Sequence, residues 1–281
     1  MAKGSQGLVQ GSVLPKQALG IGLRVQHYQS IHESPPPIDY FEVISENFMG
    51  NAEPPLQHLD LIAQKFPVVL HGVGLNLLGH EALDEDYLEA LVSLADRLDA
   101  PFVSDHVAWN GAHGIRHHDL LPTPFTKDLL AYAAERAALV QERLGRPFAL
   151  ENLSSYVRFP ESEMDEATFY SALVRESGVS FMLDINNIYV SSCNHGFDAK
   201  DYLAAIDFSK VLQVHVAGHD ATNPGLIIDT HDRAVAAGVW QLYEWAWTIG
   251  GPFPTLLEWD EKIPPLPEVL SELDKARSYQ S

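Results

Sequence analysis

The chain has 281 residues, close to the ~250 of a single (β/α)₈ barrel, and its apolar fraction of 46% is that of a globular protein. It carries 38 acidic against 18 basic residues, and the resulting formal net charge of −20 disfavours nucleic acids and anionic membranes as partners. No apolar run approaches the ~20 residues of a membrane span, and a single cysteine excludes an internal disulfide, so we expect a cytoplasmic protein.

Residues 1–17 are rich in Gly, Ser and Gln, and we predict a flexible leader at 1–17 followed by one folded domain at 18–281. Eight short apolar segments are typical of strands: 18–25, 38–45, 66–71, 101–106, 146–151, 179–184, 210–216 and 254–259. Amphipathic helical spacing occupies 83–99, 124–144, 165–177, 199–206, 232–249 and 267–277. The longest loops are predicted at 107–123, 186–197 and 217–230.

Strands that alternate with helices indicate a parallel sheet, and eight of them at this length predict a single TIM (β/α)₈ barrel. A doubly wound open sheet is the alternative fold. However, no glycine-rich phosphate loop follows the first strand, because Gly20 and Gly22 lie inside the apolar segment itself.

The last six predicted strands all end in or near a potential metal ligand. These residues are His71, His106, Glu151, Asp184, His215 and Glu258. In a barrel the carboxyl ends of all strands open onto one face, so we expect these side chains to converge. An unpaired carboxylate after an apolar run is costly to bury, and basic residues are scarce in this chain. The pattern therefore predicts metal ions as the neutralising charges, at the C-terminal face of the strands.

Three more donors lie just beyond the sixth and seventh strands, namely Asn187, Asp229 and His231. The Asp229-x-His231 pair has a plainer interpretation as a helix cap with a surface histidine. Nine donors exceed the four to six that one first-row ion usually takes, so we expect more than one ion, with Glu151 as the bridge. Nitrogen and oxygen ligands without a thiolate permit Fe, Mn or Zn. Glu151, Asp184 and His215 are the candidate catalytic residues.

Other polar residues near the strand ends are weaker candidates for substrate binding or for support of the ligands. They are Arg24, Glu46, Asn47, Asp105, Asn152 and His219. For Arg24, Glu46 and Asn47, and for the nearby Glu42, a buried salt bridge at the barrel rim or floor is an equally good interpretation. The cluster His113, His117, His118 and Asp119 is either a solvated loop or a lid.

Eight motifs in order along the chain resemble the DUF692 (UPF0276) proteins, a family of multinuclear non-heme iron-dependent oxidases. The motifs are FEVISENF at 41–48, LHGV at 70–73, SDHV at 104–107, DLLPTP at 119–124, LEN at 150–152, LDINN at 183–187, HVAGH at 215–219 and LEW at 257–259. The resemblance covers nearly the whole chain after the leader.

The resemblance implies a TIM barrel with two or three iron ions (Fe²⁺/Fe³⁺) and the use of O₂ to oxidise cysteine residues of a ribosomally synthesised precursor peptide (RiPP biosynthesis). It also implies a separate partner protein that recognises the peptide leader. The motifs carry the metal role onto all nine donors: His71, His106, Glu151, Asp184, Asn187, His215, Asp229, His231 and Glu258. Zn or Mn remains an alternative to iron.

Two other functions fit the same donors. One is a divalent-metal TIM-barrel hydrolase or isomerase of the endonuclease IV or xylose isomerase type, in which a similar order of ligands occurs. The net charge of −20 counts against a DNA substrate, as does Asn187, which stands where the endonuclease has a histidine. The other is a metal-binding protein without catalysis, which would have closed coordination and no room for a substrate.

Overall fold

A computed structural model describes residues 14–50, 53–112 and 115–280. Eight parallel strands close into a barrel, in which each pairs with its neighbours in sequence and the last pairs with the first. Every strand lies within one of the eight predicted segments, and the TIM barrel is confirmed. The strands are β1 (Leu19–Gly22), β2 (Tyr40–Ile44), β3 (Val68–His71), β4 (Val103–His106), β5 (Phe148–Glu151), β6 (Ser180–Asp184), β7 (Val211–Val216) and β8 (Thr255–Leu257).

Helices surround the barrel in the described ranges: α1 (Tyr28–Glu33), α2 (Glu53–Ala63), α3 (Glu85–Leu98), α4 (Lys127–Leu144), α5 (Glu166–Ser177), α6 (Ile185–His195), α7 (Ala199–Ala204), α8 (Ala237–Gly250) and α9 (Leu266–Tyr279). Short 3₁₀ turns occur at Val25–His27, Ser45–Asn47 and Phe208–Lys210. The six predicted helices are confirmed, although α8 begins five residues later than predicted. None of the helices in these ranges is long and apolar enough to cross a membrane.

The prediction of a loop at 186–197 is wrong, because α6 covers most of that segment. Its sequence, rich in Asn and Ser, has weak intrinsic helix propensity. The helix is started instead by Asp184, whose side chain caps it by accepting a hydrogen bond from the backbone N–H of Asn187. It ends at Gly196, which adopts the left-handed conformation that favours glycine.

The other two predicted loops contain β-hairpins. After β4, Trp109–Ala112 pairs antiparallel with Ile115–Leu121, and after β7, His219–Asn223 pairs with Leu226–Asp229. His113 of the predicted histidine cluster lies outside the described residues. Both hairpins follow strand ends, so they lie on the same face of the barrel as the predicted metal site.

The barrel interior has an apolar lower layer and a polar upper layer. Tyr40, Val69, Phe102 and Leu256 fill the lower layer, and Leu14 packs against them. Because side chains alternate along a strand, the residues two positions further on also point inward, and these are polar or charged. The outward-facing residues of the same strands, such as Phe41 and Phe148, pack in the main core. Of the leader predicted at 1–17, residues 1–13 lie outside the described part, and the boundary at residue 18 stays a prediction.

Candidate metal centre

The six predicted strand-end donors come together in the upper layer of the barrel. His71, His106, Glu151 and Asp184 are each the last residue of their strand, His215 is the last but one of β7, and Glu258 directly follows β8. All six are buried. These six side chains, together with His231 and Asp260, form three groups that could each hold an ion. The groups are His71, His106 and Glu151; then Glu151, Asp184, His215 and Glu258; then His231, Glu258 and Asp260.

In the first group, two histidines point at one carboxylate. Glu151 Oε2 lies 3.2 Å from His71 Nε2 and 3.1 Å from His106 Nε2. The other ring nitrogens are held by neighbours, since His71 Nδ1 is 3.0 Å from Ser104 Oγ and His106 Nδ1 is 3.0 Å from the Gly72 carbonyl. Such hydrogen bonds fix the ring orientation of metal-binding histidines. Both Nε2 atoms are therefore directed at the same point beside Glu151.

In the second group, Glu42 and Gln213 orient the ring of His215. Its Nε2 lies 3.1 Å from Glu42 Oε2, which also accepts a 2.7 Å hydrogen bond from Gln213 Nε2. Its Nδ1 lies 3.2 Å from Glu258 Oε2 and 3.8 Å from Glu151 Oε1. This is the carboxylate–histidine arrangement that supports metal ligands. Glu42 thus forms a buried ion pair with His215, which agrees with the buried salt bridge considered from the sequence. The contact of Gln213 was not predicted.

The third group lies nearest the mouth, where His231 and Asp260 are partly exposed and Glu258 is buried. His231 Nδ1 is 3.3 Å from Glu258 Oε2 and 3.1 Å from Asp260 Oδ2, and its Nε2 is 2.7 Å from Asp229 Oδ1. The Asp229-x-His231 pair is thus part of the cluster and does not cap a helix. Asn186 Nδ2 donates a 2.7 Å hydrogen bond to Asp229. Neither Asp260 nor Asn186 was predicted from the sequence as part of the site.

One glycine explains how His231 reaches this position. A Cβ on Gly218 would lie 2.1 Å from the Arg233 carbonyl oxygen, so no larger residue fits there. The Gly218 carbonyl accepts a 2.9 Å hydrogen bond from the backbone N–H of His231, which has a left-handed φ of 46°. The close approach of Gly218 to the segment 231–233 brings the end of the second hairpin to the barrel mouth.

Within the described residues, several buried nitrogen and oxygen atoms of the cluster lack hydrogen bonds of acceptable geometry, although such atoms normally find a partner. They are Glu151 Oε2, Asp184 Oδ2, Asn187 Oδ1, His215 Nδ1 and His231 Nε2. The Asn187 side chain is held by its Nδ2, which donates to the Asn152 carbonyl at 3.0 Å, so its Oδ1 is left available. All five belong to the nine predicted ligands. Unsatisfied nitrogen and oxygen donors in one place fit bound cations.

The electrostatics of the cluster also fit cation binding. Burial would raise the pKa of Glu151, but His106, His71 and His215 lower it to about 2. Burial would lower the pKa of His106, but Glu151 and Asp105 raise it to about 9. Burial and the neighbouring Glu151 charge raise the pKa of Asp184 well above its usual range. Protons therefore neutralise part of the cluster, and bound metal ions would displace them.

The weaker candidates occupy different places around the centre. Asn152 is buried, and its side chain holds the backbone of Asp184. Its Oδ1 accepts a 2.9 Å hydrogen bond from the Asp184 N–H, and its Nδ2 donates one of 3.0 Å to the Asp184 carbonyl. His219 Nδ1 contacts Asn186 Oδ1 at 2.7 Å. Arg24 forms an ion pair with Asp260 at the mouth.

Glu46 and Asp105 form a pair of carboxylates that belongs to none of the three groups. Tyr87 Oη lies 2.6 Å from Glu46 Oε1 and 3.4 Å from Asp105 Oδ2. Burial and the Glu46 charge raise the pKa of Asp105 to about 7. Asp105 Oδ1 also accepts a 2.7 Å hydrogen bond from the backbone of His106. Asn47, by contrast, is exposed.

Solved structures with a similar fold include D-psicose 3-epimerase from Clostridium cellulolyticum, with a TM-score of 0.63 at 13% identity, covering 94% of this chain and 99% of that one. Endonuclease IV from Thermus thermophilus matches with a TM-score of 0.60 at 15% identity, covering 93% of this chain and 98% of that one. At these identities the likeness shows the barrel fold alone.

Other proteins are much more similar to this chain in sequence than these solved structures are. A UPF0276 protein of Caulobacter vibrioides is 46% identical over 265 residues, which is 94% of each chain. A UPF0276 protein of Acaryochloris marina is 43% identical over 263 residues, or 94% of this chain and 95% of that one. The family described as RiPP precursor modification enzyme MbnB/TglH/ChrH matches residues 18–281. The chain therefore belongs to the UPF0276 family of RiPP precursor modification enzymes.

Proposed function

We propose that this protein is a multinuclear iron-dependent oxidase that uses O₂ to modify cysteine residues of a ribosomally synthesised precursor peptide. The observation that carries the proposal is the chain of three donor groups linked by two shared carboxylates. Glu151 belongs to the first and second groups, and Glu258 to the second and third. Shared carboxylates are typical of sites with two or more ions. Family membership supports a peptide as the substrate.

The nine predicted ligands, together with Asp260, would hold the ions. Their nitrogen and oxygen atoms suit Fe, Mn and Zn, and we choose iron because of the family resemblance and the oxidation it implies. Bound iron would supply the one-electron redox chemistry that O₂ requires. Glu151, Asp184 and His215 occupy the central group, where we place the reaction.

The surrounding residues would keep this centre rigid and dry. Glu42 and Gln213 fix the ring of His215 from the apolar side, and Asn152 fixes the backbone of Asp184. Preorganised ligands of this kind cost little reorganisation when substrate binds. The third group, around His231, is the most exposed and would be the first that an incoming peptide meets.

The substrate cysteine would approach this centre as its thiolate, which positively charged surroundings favour. In the described part of the chain, the three donor groups include no cysteine, and Cys193 is exposed on α6. A thiolate ligand would therefore have to come from the substrate. As the resemblance implies, we also propose a separate partner protein that binds the peptide leader.

The test is metal analysis of protein isolated without oxygen, followed by O₂ uptake measurements with a co-encoded cysteine-containing peptide. We expect two or three irons per chain and O₂ uptake that needs the peptide. The same peptide with its cysteine replaced by serine should give no uptake. Zinc together with cleavage of abasic DNA would instead support a phosphodiesterase, and iron without peptide-dependent uptake would support a metal-binding protein.

A further inference from the structure

A cavity of about 570 Å³ lies beside the metal centre, under the segment 152–165 that joins β5 to α5. We call it the α5 cavity. Its walls are largely apolar and include Val107, Leu153, Phe159, Phe169 and Phe197. The volume lies within the 300–1,000 Å³ range of ligand pockets. None of the three metal groups contributes a donor to its lining.

The α5 cavity and the metal centre share a wall. Val107 and Asn152 line the cavity, and they directly follow His106 and Glu151, which point into the barrel. Because successive side chains along a strand point to opposite sides, the ends of β4 and β5 separate the two spaces. A peptide that crosses this rim can therefore place one side chain in the cavity while another reaches the metal centre.

The cavity has an acidic lining around its apolar walls. Its acidic residues are Asp165, Glu166, Asp198 and Asp201, whereas Arg158 is the one arginine or lysine among the lining side chains. Arg158 Nη2 donates a 2.6 Å hydrogen bond to a backbone carbonyl, and Asp165 and Asp198 each accept one from a backbone N–H, so the net charge of the lining stays negative. This charge imbalance favours a cationic occupant.

Two polar side chains of the cavity lining, Glu166 and Thr123, could pair with an occupant. Glu166 Oε1 accepts a 3.2 Å hydrogen bond from Tyr202 Oη, and burial raises the pKa of Glu166 to about 7. Thr123 Oγ1 is buried, and within the described residues it makes no hydrogen bond. A cation beside Glu166 would stabilise its ionised form, and a polar group of the occupant could pair with Thr123.

We propose that the α5 cavity binds an apolar side chain of the precursor peptide that stands next to a basic residue. The apolar side chain fills the space between the aromatic walls, and the basic residue pairs with the acidic lining. The peptide is thereby anchored while its cysteine lies in the metal centre. This inference rests on the proposed function, because its occupant is the same peptide substrate.

General packing distances give an estimate of the spacing between anchor and cysteine. Layers packed on a sheet lie about 10 Å from it, and an extended chain advances ~3.4 Å per residue. The anchoring side chain should therefore stand about three residues from the cysteine.

Binding at the cavity can be tested without the oxidation reaction. The probe is the dipeptide acetyl-4-fluorophenylalanyl-lysine amide, titrated into the full protein and followed by ¹⁹F NMR. The comparison peptides carry Glu in place of Lys, or Ala in place of the aromatic residue. We expect the aromatic–lysine probe to bind about tenfold more tightly than either, since it alone uses both features of the cavity.

Two neighbouring alanines give a matched pair of variants. Ala205 lines the α5 cavity, whereas the adjacent Ala204 does not, and both are exposed. Ala205→Trp should weaken probe binding at least tenfold by filling the cavity, and Ala204→Trp should leave it unchanged. Glu166→Gln should weaken binding of the lysine probe while leaving that of the glutamate probe unchanged or stronger. Equal binding to the wild type and Ala205→Trp, or no binding at all, would overturn the proposal.

The same variants separate this proposal from the proposed function. With a cysteine peptide, Ala205→Trp should raise KM for O₂ uptake while iron content stays that of the wild type. A series of peptides that moves the aromatic–lysine pair from one to eight residues away should react best near a spacing of three. Probe binding without any peptide-dependent O₂ uptake would refute the oxidase and leave the cavity assignment standing. Uptake that Ala205→Trp does not alter, with no probe binding, would refute the cavity assignment alone.

Discussion

The shared position of Glu151 predicts that one substitution removes more than one metal ion. Glu151 belongs to two of the three donor groups, whereas His71 belongs to one. If each group holds one ion, Glu151→Gln should retain one ion and His71→Asn should retain two. Two divalent ions at the ~4 Å spacing of carboxylate-bridged pairs repel by about 16 kcal/mol at an effective dielectric constant of ~20. Without the shared negative charge, the paired ions should not both stay bound.

The assay is metal counting on protein purified without oxygen, by elemental analysis and by native mass spectrometry. Gln at position 151 keeps the size of the side chain, and the His71 variant serves as a matched loss of one ligand from the same group. Thermal unfolding of both variants checks that the barrel still folds. Equal ion counts for the Glu151 and His71 variants would refute the bridging role.

Three further predictions concern Glu42 beside the metal centre and Glu166 and Tyr170 in the lining of the α5 cavity. Glu42→Gln should weaken metal binding 10–100-fold, with the ion count unchanged at saturation, because Glu42 only orients His215; competition with a chelator measures this. Glu166, whose pKa is raised from 4.5 to about 7, holds a proton in the folded state that the unfolded chain releases, so stability should fall as pH rises through that window. Glu166→Gln should remove this dependence and be more stable by about 3 kcal/mol at pH 8, equalling the wild type below pH 4, in urea titrations. Tyr170→Phe should lower the free energy of unfolding by about 1–2 kcal/mol, since the one proton of the buried hydroxyl is shared between the carbonyls of Leu150 and Met182, while metal content stays that of the wild type.

The barrel could be predicted from sequence because each strand is a short apolar run of its own. Buried parallel strands are apolar on both faces, and the helices between them carry clear amphipathic spacing. The helix α6 and the two hairpins could not be predicted in the same way. Their sequences are polar and irregular, and their structure depends on contacts made in the folded protein, such as the Asp184 cap on α6.

The convergence of the strand-end histidines and carboxylates could be predicted because a parallel barrel brings all strand ends together. The supporting residues were harder to find. Gln213 lies two residues before His215, so the alternation of side chains along β7 could have placed it inside the barrel, one layer below His215. Asp260 and Asn186 lie beyond the strand ends, and their partners depend on how the loops fold, which no spacing in the sequence gives.

The charge balance of the upper layer favours bound cations in this barrel. In the described part of the chain, the ion pairs made by Glu42, Glu151 and Glu258 are all with histidines, and Asp184 makes none. A histidine can neutralise a carboxylate only by keeping its proton, and buried charges of either sign are costly when unpaired. Metal ions remove both problems, because neutral imidazoles and ionised carboxylates then bind the same cation. The apolar lower layer supplies folding stability and the polar upper layer offsets part of it, so metal binding should also raise the unfolding temperature. A metal-free protein as stable as the loaded one would contradict this account of the barrel interior.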